Sequence, residues 1–255
     1  MSAKRPAEQD TEGPRKRLRS NYTDTVTILV GAKETSFTVH QDRLCSASDF
    51  FKKACTNGWL ESKERVIRLA DVDTTVFHDY LEALYSPSVE LNKLLTNKGA
   101  FRNEDDEDEP SSLSIRSICK CGQVDHLLKR CELWVFGDFL QDHTFQNKVM
   151  DSIYDGVKCG TFGSVRILKW LSNHTTATSL LAKFLRRQFA EYLTESNNTS
   201  TIFTHMKEGE NKVPADMLVD LLKDVLRSEP EYPFCATYHV HPNGTETCAQ
   251  RTSLR

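Results

Sequence analysis

The chain has 255 residues, enough for one large domain or two small ones. Its 33 Lys and Arg residues nearly balance its 36 Asp and Glu residues, and the net charge of −3 excludes a uniformly basic nucleic-acid coat and a membrane-binding polycation. The apolar runs are short and the opening MSAKRPAEQD holds no hydrophobic signal segment, so we expect an intracellular chain without a membrane partner.

Residues 1–20 are predicted to form a disordered basic tail. They contain no Val, Ile, Phe, Trp or Tyr, and therefore bury too little apolar surface to offset the entropy of ordering. Within the tail stands a basic cluster that is similar to a nuclear-import signal and consists of Arg15, Lys16, Arg17 and Arg19. The alternative is a solvated tail that contacts nucleic acid only weakly, through phosphates. We expect the chain in the nucleus or the cytoplasm, with the nucleus slightly favoured.

Short strands come next, followed by helices. Apolar residues alternate with period 2 over Thr25–Val30, and shorter strands are predicted around Phe37–Val39 and at Val66–Leu69. Helical spacing predicts one helix from Leu44 to Cys55 and further helices over 76–84, 127–135, 145–157, 165–171, 181–192 and 218–225. This order predicts the α+β class: a small β-sheet packed on a helical cluster, followed by a mostly helical extension.

A run of six acids, EDDEDE at Glu104–Glu109, interrupts the helical part. Like charges at this density repel and stay solvated, which predicts an exposed acidic loop at about 96–114. We therefore divide the chain into the tail at 1–20, a domain at 21–158 that contains the loop, a helical extension at 159–228, and a C-terminal tail at 229–255.

Residues 37–51 read FTVHQDRLCSASDFF. Seven of them match, spacing included, the F-x-V-H-x-x-x-L-x-x-x-S-x-F-F core of the BTB/POZ family: Phe37, Val39, His40, Leu44, Ser48, Phe50 and Phe51. The strand before them and the helical pair at Glu132–Ile153 are similar as well, and the resemblance is closest to the fungal-type members. The resemblance implies that 21–158 is a BTB/POZ-like domain, a non-catalytic protein–protein interaction module.

The resemblance also implies a role as adaptor or scaffold, with other proteins as partners and a homodimer left open. Some members are substrate adaptors for cullin-type ubiquitin ligases, and the helices from Val165 to Leu226 would then take the part of the extra helices in those members. The alternative is a nuclear transcription or chromatin regulator that uses the BTB domain for assembly. Members that recruit repressors carry charged residues where this chain has Thr25 and Gln41.

No enzyme is expected. The sequence lacks G-x-x-x-x-G-K-[ST], G-x-G-x-x-G, G-x-S-x-G and H-E-x-x-H motifs. His40 stands at a strand-to-helix junction, where a histidine usually binds nearby backbone, and we expect that structural role for it.

The eight cysteines are too sparse for a disulfide scaffold and are expected to be reduced. Four residues near the end have the spacing C-x₃-H-x-H-x₆-C and suit a tetrahedral zinc site: Cys235, His239, His241 and Cys248. From an extended strand, His239 and His241 would point the same way. A zinc-binding protein is therefore a second alternative function; otherwise no cofactor is expected. The competing interpretation is that Tyr232, Phe234 and Tyr238 pack on the domain.

Overall fold

A computed structural model describes residues 23–56, 65–86, 91, 124–158, 165–195, 199–207, 212–226 and 234–241. The basic tail at 1–20 and the acidic loop at about 96–114 lie outside these residues. Across the described part of the chain, three strands come first and a series of helices dominates the rest, as the α+β prediction required. None of these helices has the length and apolarity needed to cross a bilayer.

The sheet has the strand order β2–β1–β3. Strand β1 (Thr25–Val30) runs antiparallel to β2 (Thr35–His40) and parallel to β3 (Val66–Leu69). Every second residue of β1 is buried, beginning with Val26, which confirms the period-2 prediction. The turn between β1 and β2 begins at Gly31, whose φ of 73° disfavours any side chain.

The predicted helix over 44–55 is wrong in one respect, because two helices occupy this stretch. Helix α1 (Gln41–Ala47) ends at Ser48 and α2 (Asp49–Thr56) begins directly after it. Ser48 has an extended backbone with φ −124° and ψ 123°, so the helical hydrogen-bond ladder stops there.

Helix α3 (Thr74–Tyr85) begins directly after its N-cap residue, Asp73. The Asp73 carboxylate accepts hydrogen bonds from the backbone N–H groups of Thr75 and Val76. Hydrogen bonding to the Thr75 hydroxyl and to these amides lowers the pKa of Asp73 against the opposing effect of burial.

The remaining described helices are α4 (Val124–Leu140), α5 (His143–Lys158), α6 (Val165–His174), α7 (Leu180–Glu195), α8 (Thr199–Lys207), α9 (Ala215–Leu226) and α10 (Phe234–Tyr238). Helices α8 and α10 were not expected. Both are short, and the apolar spacing in their sequences is too brief to show a helical period. Helix α4 packs against α5, α3, α2 and α6, which makes it the central helix of the described structure.

One hydrophobic core extends from the sheet to α9. Helix α9 packs on α7, where an ion pair that we call the arginine clamp joins them. In the clamp, Arg186 Nε donates to Asp224 Oδ2 over 2.8 Å, and Arg186 Nη1 donates to the Ala177 carbonyl over 2.8 Å. Because the Arg186 side chain is only 7% exposed, these partners compensate for the solvation that its charge loses on burial.

Candidate functional site

The seven motif residues form a frame around the α1–α2 corner. Val39, Leu44, Ser48 and Phe51 are buried, while Phe37, His40 and Phe50 are partly buried. Phe37 packs edge-on against Phe77 of α3 with ring centroids 5.0 Å apart. Most of the motif is therefore used in packing and leaves little side-chain surface for a partner.

Ser48 joins three helix ends with one residue. Its backbone N–H donates to the Leu44 carbonyl and ends α1, and its hydroxyl accepts the Phe51 N–H over 3.2 Å and caps α2. The same hydroxyl donates to the Leu140 carbonyl over 2.5 Å, at the last residue of α4. A carbonyl at a helix end has no intrahelical partner, so this bond completes α4 as well.

His40 contacts a distant side chain, which corrects the expectation of a nearby backbone partner. Its backbone N–H donates to the Tyr85 hydroxyl oxygen over 3.1 Å, and its Nδ1 lies 2.8 Å from the same oxygen. The end of β2 is thereby tied to the end of α3. Both contacts use His40 to hold these two elements together.

An exposed aromatic pair lies beside this frame. Phe50 of α2 and Phe139 of α4 have ring centroids 4.9 Å apart, and Phe139 is 50% exposed. Phe50 also contacts Phe51, so the pair continues the buried core out to the surface. We call Phe50 and Phe139 the aromatic patch.

Helix α9 presents a second apolar surface. Its inward side buries Met217 and Leu221, whereas Val219, Leu222 and Leu226 are 52%, 57% and 75% exposed. The helical spacing that predicted this helix did not distinguish the exposed Leu222 from the buried Leu221. We call Val219, Leu222 and Leu226 the α9 stripe.

Two thiols meet where α1 and α2 face each other. Cys45 and Cys55 are half-buried, and Cys45 Sγ also lies 3.8 Å from the Phe51 carbonyl oxygen, to which it donates. A hydrogen bond from Cys45 lowers the pKa of Cys55 to about 7, although burial opposes this shift. The same bond, together with burial, raises the pKa of Cys45 far above the ordinary thiol range.

Three of the four predicted zinc ligands lie together. The side-chain ligand atoms of Cys235, His239 and His241 are all within 4.8 Å of one another. Cys235 and His239 are four residues apart at the end of α10, where helical geometry puts them on one face. The extended strand expected for His239 and His241 is not assigned there, since both residues follow the end of α10, and Cys248 lies outside the described residues.

Helices α5 and α7 hold this C-terminal segment in place. Phe234 packs against Tyr154 of α5 in a tilted arrangement with ring centroids 4.1 Å apart, and Tyr238 contacts Phe184 of α7 with centroids 5.1 Å apart. The predicted aromatic packing is thus confirmed for Phe234 and Tyr238, while Tyr232 lies outside the described residues.

Polar contacts from α5 complete the docking. The Asn147 side chain donates to the Val240 carbonyl over 3.0 Å and accepts the Val240 N–H over 2.7 Å. One turn later, Asp151 Oδ1 lies 3.1 Å from His239 Nε2. Sequence reasoning missed both residues. Asn147 and Asp151 are four residues apart and Tyr154 follows three residues later, so all three lie on one face of α5. This spacing was the available signal for a second contact face on the helix.

The basic cluster at Arg15–Arg19 lies outside the described residues.

Comparison with known proteins bears on the sheet and the helices that follow it. No curated protein matches the chain. The family model for the BTB/POZ domain matches residues 15–106, a range that includes all three strands, α1, α2, α3 and the seven motif residues. A BTB/POZ domain is a non-catalytic module that mediates protein–protein interactions and dimerisation. This chain contains a BTB/POZ domain at residues 15–106, followed by further helices.

Proposed function

We propose that the protein is an adaptor that assembles through its BTB/POZ domain and binds a cullin-type ubiquitin-ligase scaffold through its later helices. We further propose that it is a fungal-type member whose BTB/POZ-like domain extends to residue 158. An adaptor joins two proteins and therefore requires two separate contact surfaces. The observation that carries the proposal is that the aromatic patch and the α9 stripe are two exposed apolar surfaces on different helices.

The aromatic patch is assigned to self-association. It adjoins the α1–α2 corner of the matched domain, and aromatic side chains dominate the binding energy of protein interfaces. Light scattering should give twice the chain mass of 29.1 kDa for the wild type and for Phe203→Ser, and a single chain mass for Phe139→Ser. Phe203 is the matched control because it is 46% exposed against 50% for Phe139, but lies on α8. A monomeric wild type refutes this assignment.

The α9 stripe is assigned to the cullin-type scaffold. Leu222 and Leu226 are four residues apart, so they lie on one face of the helix and suit an apolar groove in a partner. A purified cullin N-terminal region should bind the full chain, and changing both leucines to Ser should weaken binding at least tenfold, as loss of a buried anchor does. Phe203→Ser should bind like the wild type. Absence of wild-type binding refutes the cullin role and favours the nuclear-regulator alternative.

Nuclear location is proposed from the basic cluster. A fluorescent fusion too large for passive entry should move from nucleus to cytoplasm when Arg15, Lys16 and Arg17 are changed to Ala. Changing Lys4 and Arg5 to Ala should have a smaller effect, because nine residues separate this upstream basic pair from the cluster. A wild-type fusion in the cytoplasm, or an unchanged triple variant, refutes the import signal.

The regulator alternative uses the same tail differently. It requires DNA binding that weakens steeply with salt and disappears when residues 1–20 are deleted, because phosphate contacts release counterions. Salt-insensitive or absent DNA binding refutes it. The zinc-binding alternative is developed below.

A further inference from the structure

We propose that Cys235, His239 and His241 bind one zinc ion, with Asp151 of α5 as the partner of His239, and that the ion fastens the C-terminal segment to α5. This inference is independent of the adaptor proposal. The spacing predicted a site of four ligands in the C-terminal tail. The proposed site keeps three of them and adds a supporting contact from α5.

The separation of the ligand atoms suits a zinc ion. Zinc binds thiolate sulfur at about 2.3 Å and imidazole nitrogen at about 2.0–2.1 Å, so adjacent ligands of a tetrahedral ion lie roughly 3.5 Å apart. Cys235 Sγ and His241 Nε2 are 3.5 Å apart. The pair therefore already has the separation of two zinc ligands.

The environment of His239 also suits a zinc ligand. Its side chain is only 2% exposed, and Asp151 Oδ1 lies 3.1 Å from its Nε2. A carboxylate at a ring nitrogen is the usual device that orients a metal-binding histidine and increases its basicity. Aromatic packing by Phe234 against the His239 ring, at 5.4 Å between centroids, restricts its orientation further.

The chemistry of the three donor side chains favours zinc. One thiol and two imidazoles are borderline-soft ligands that select zinc over magnesium or calcium. Cys235 must lose its proton to bind, so zinc uptake by this site releases a proton. Because the ligands come from both ends of a five-residue helix and the loop after it, the ion would stabilise a segment too short to be stable alone.

The test uses the purified full-length chain loaded with zinc and passed through a chelating column. Elemental analysis should give about one zinc per chain for the wild type. Competition with a chromophoric chelator should show a loss of affinity of about 10–100-fold for Asp151→Asn and a larger loss for Cys235→Ser. Cys55→Ser is the matched control, since Cys55 is likewise a half-buried cysteine outside any disulfide, and should keep wild-type affinity.

A measurement on the wild type covers the case in which a variant fails to fold. Zinc should protect Cys235 from alkylation by iodoacetamide, as read by peptide mass spectrometry, whereas Cys55 should react equally with and without zinc. A wild type without stoichiometric zinc, unprotected Cys235, or wild-type affinity in folded Cys235→Ser each overturns the proposal and leaves a sulfur–imidazole hydrogen bond only.

Discussion

Replacing Ser48 by Ala tests the claim that one hydroxyl completes two helix ends. The change removes the cap that accepts the Phe51 N–H, and loss of such a cap costs about 1 kcal/mol. It also leaves the buried Leu140 carbonyl without its donor, which costs roughly 1–3 kcal/mol. Ser48 is 1% exposed, so water has little access to replace either bond. The expected loss in free energy of unfolding is about 2–4 kcal/mol.

The assay is urea unfolding of the full chain followed by circular dichroism, with the loss read as a lower midpoint at unchanged slope. Ser46→Ala is the control. The Ser46 hydroxyl donates to the Arg43 carbonyl within the same helix and is exposed, so its loss should stay within about 0.5 kcal/mol. If Ser48→Ala loses no more free energy of unfolding than Ser46→Ala, the two hydrogen bonds of the Ser48 hydroxyl do not stabilise the fold and the reasoning is refuted.

Three further predictions concern the core, the arginine clamp and the thiol pair. Phe51→Ala should lose roughly 3–5 kcal/mol of unfolding free energy, measured by urea unfolding, because the ring is fully buried. Asp224→Ala should lose about 3–5 kcal/mol in the same assay, because it leaves the clamp's buried guanidinium unpaired. The control Asp220→Ala, whose ion pair is exposed, should lose at most about 1 kcal/mol. Alkylation of Cys55 should rise with pH around a midpoint of about 7, and Cys45→Ala should move that midpoint upward.

Each of these three has a contrary result. A Phe51→Ala loss below about 1 kcal/mol would contradict burial of the ring at the α1–α2 corner. Equal losses for the two aspartate variants would show that the clamp is not desolvated. For the thiol pair, an unchanged alkylation midpoint in Cys45→Ala would show that the hydrogen bond from Cys45 does not lower the pKa of Cys55.

The alternation in β1 and the motif at 37–51 were readable from the sequence. Each depends on residues within one turn or one strand of each other, and local backbone geometry turns that spacing into a defined face or cap. The BTB/POZ fold followed from these local signals, which is why the α+β class was predicted correctly.

The break at Ser48 was not readable in this way, because the carbonyl that receives its hydroxyl proton lies 92 residues further along the chain. The same limit applies at the C-terminus. There the sequence showed metal-ligand spacing and aromatic residues, but Asn147 and Asp151, the α5 side chains that hold the segment, are 93 and 88 residues from their partners. On α9, the spacing showed apolar residues without showing which of them face α7 and which face solvent.

Local periodicity therefore determined the elements, and the motif at 37–51 carried the resemblance to the family. Tertiary packing decided which apolar residues remained exposed as surfaces, and which polar groups met across the chain to form the Ser48 junction, the arginine clamp and the Cys-His cluster. The physical reason is that buried hydrogen-bonding groups must find partners wherever the fold provides them, and that pairing depends on the arrangement of the helices rather than on distance along the sequence.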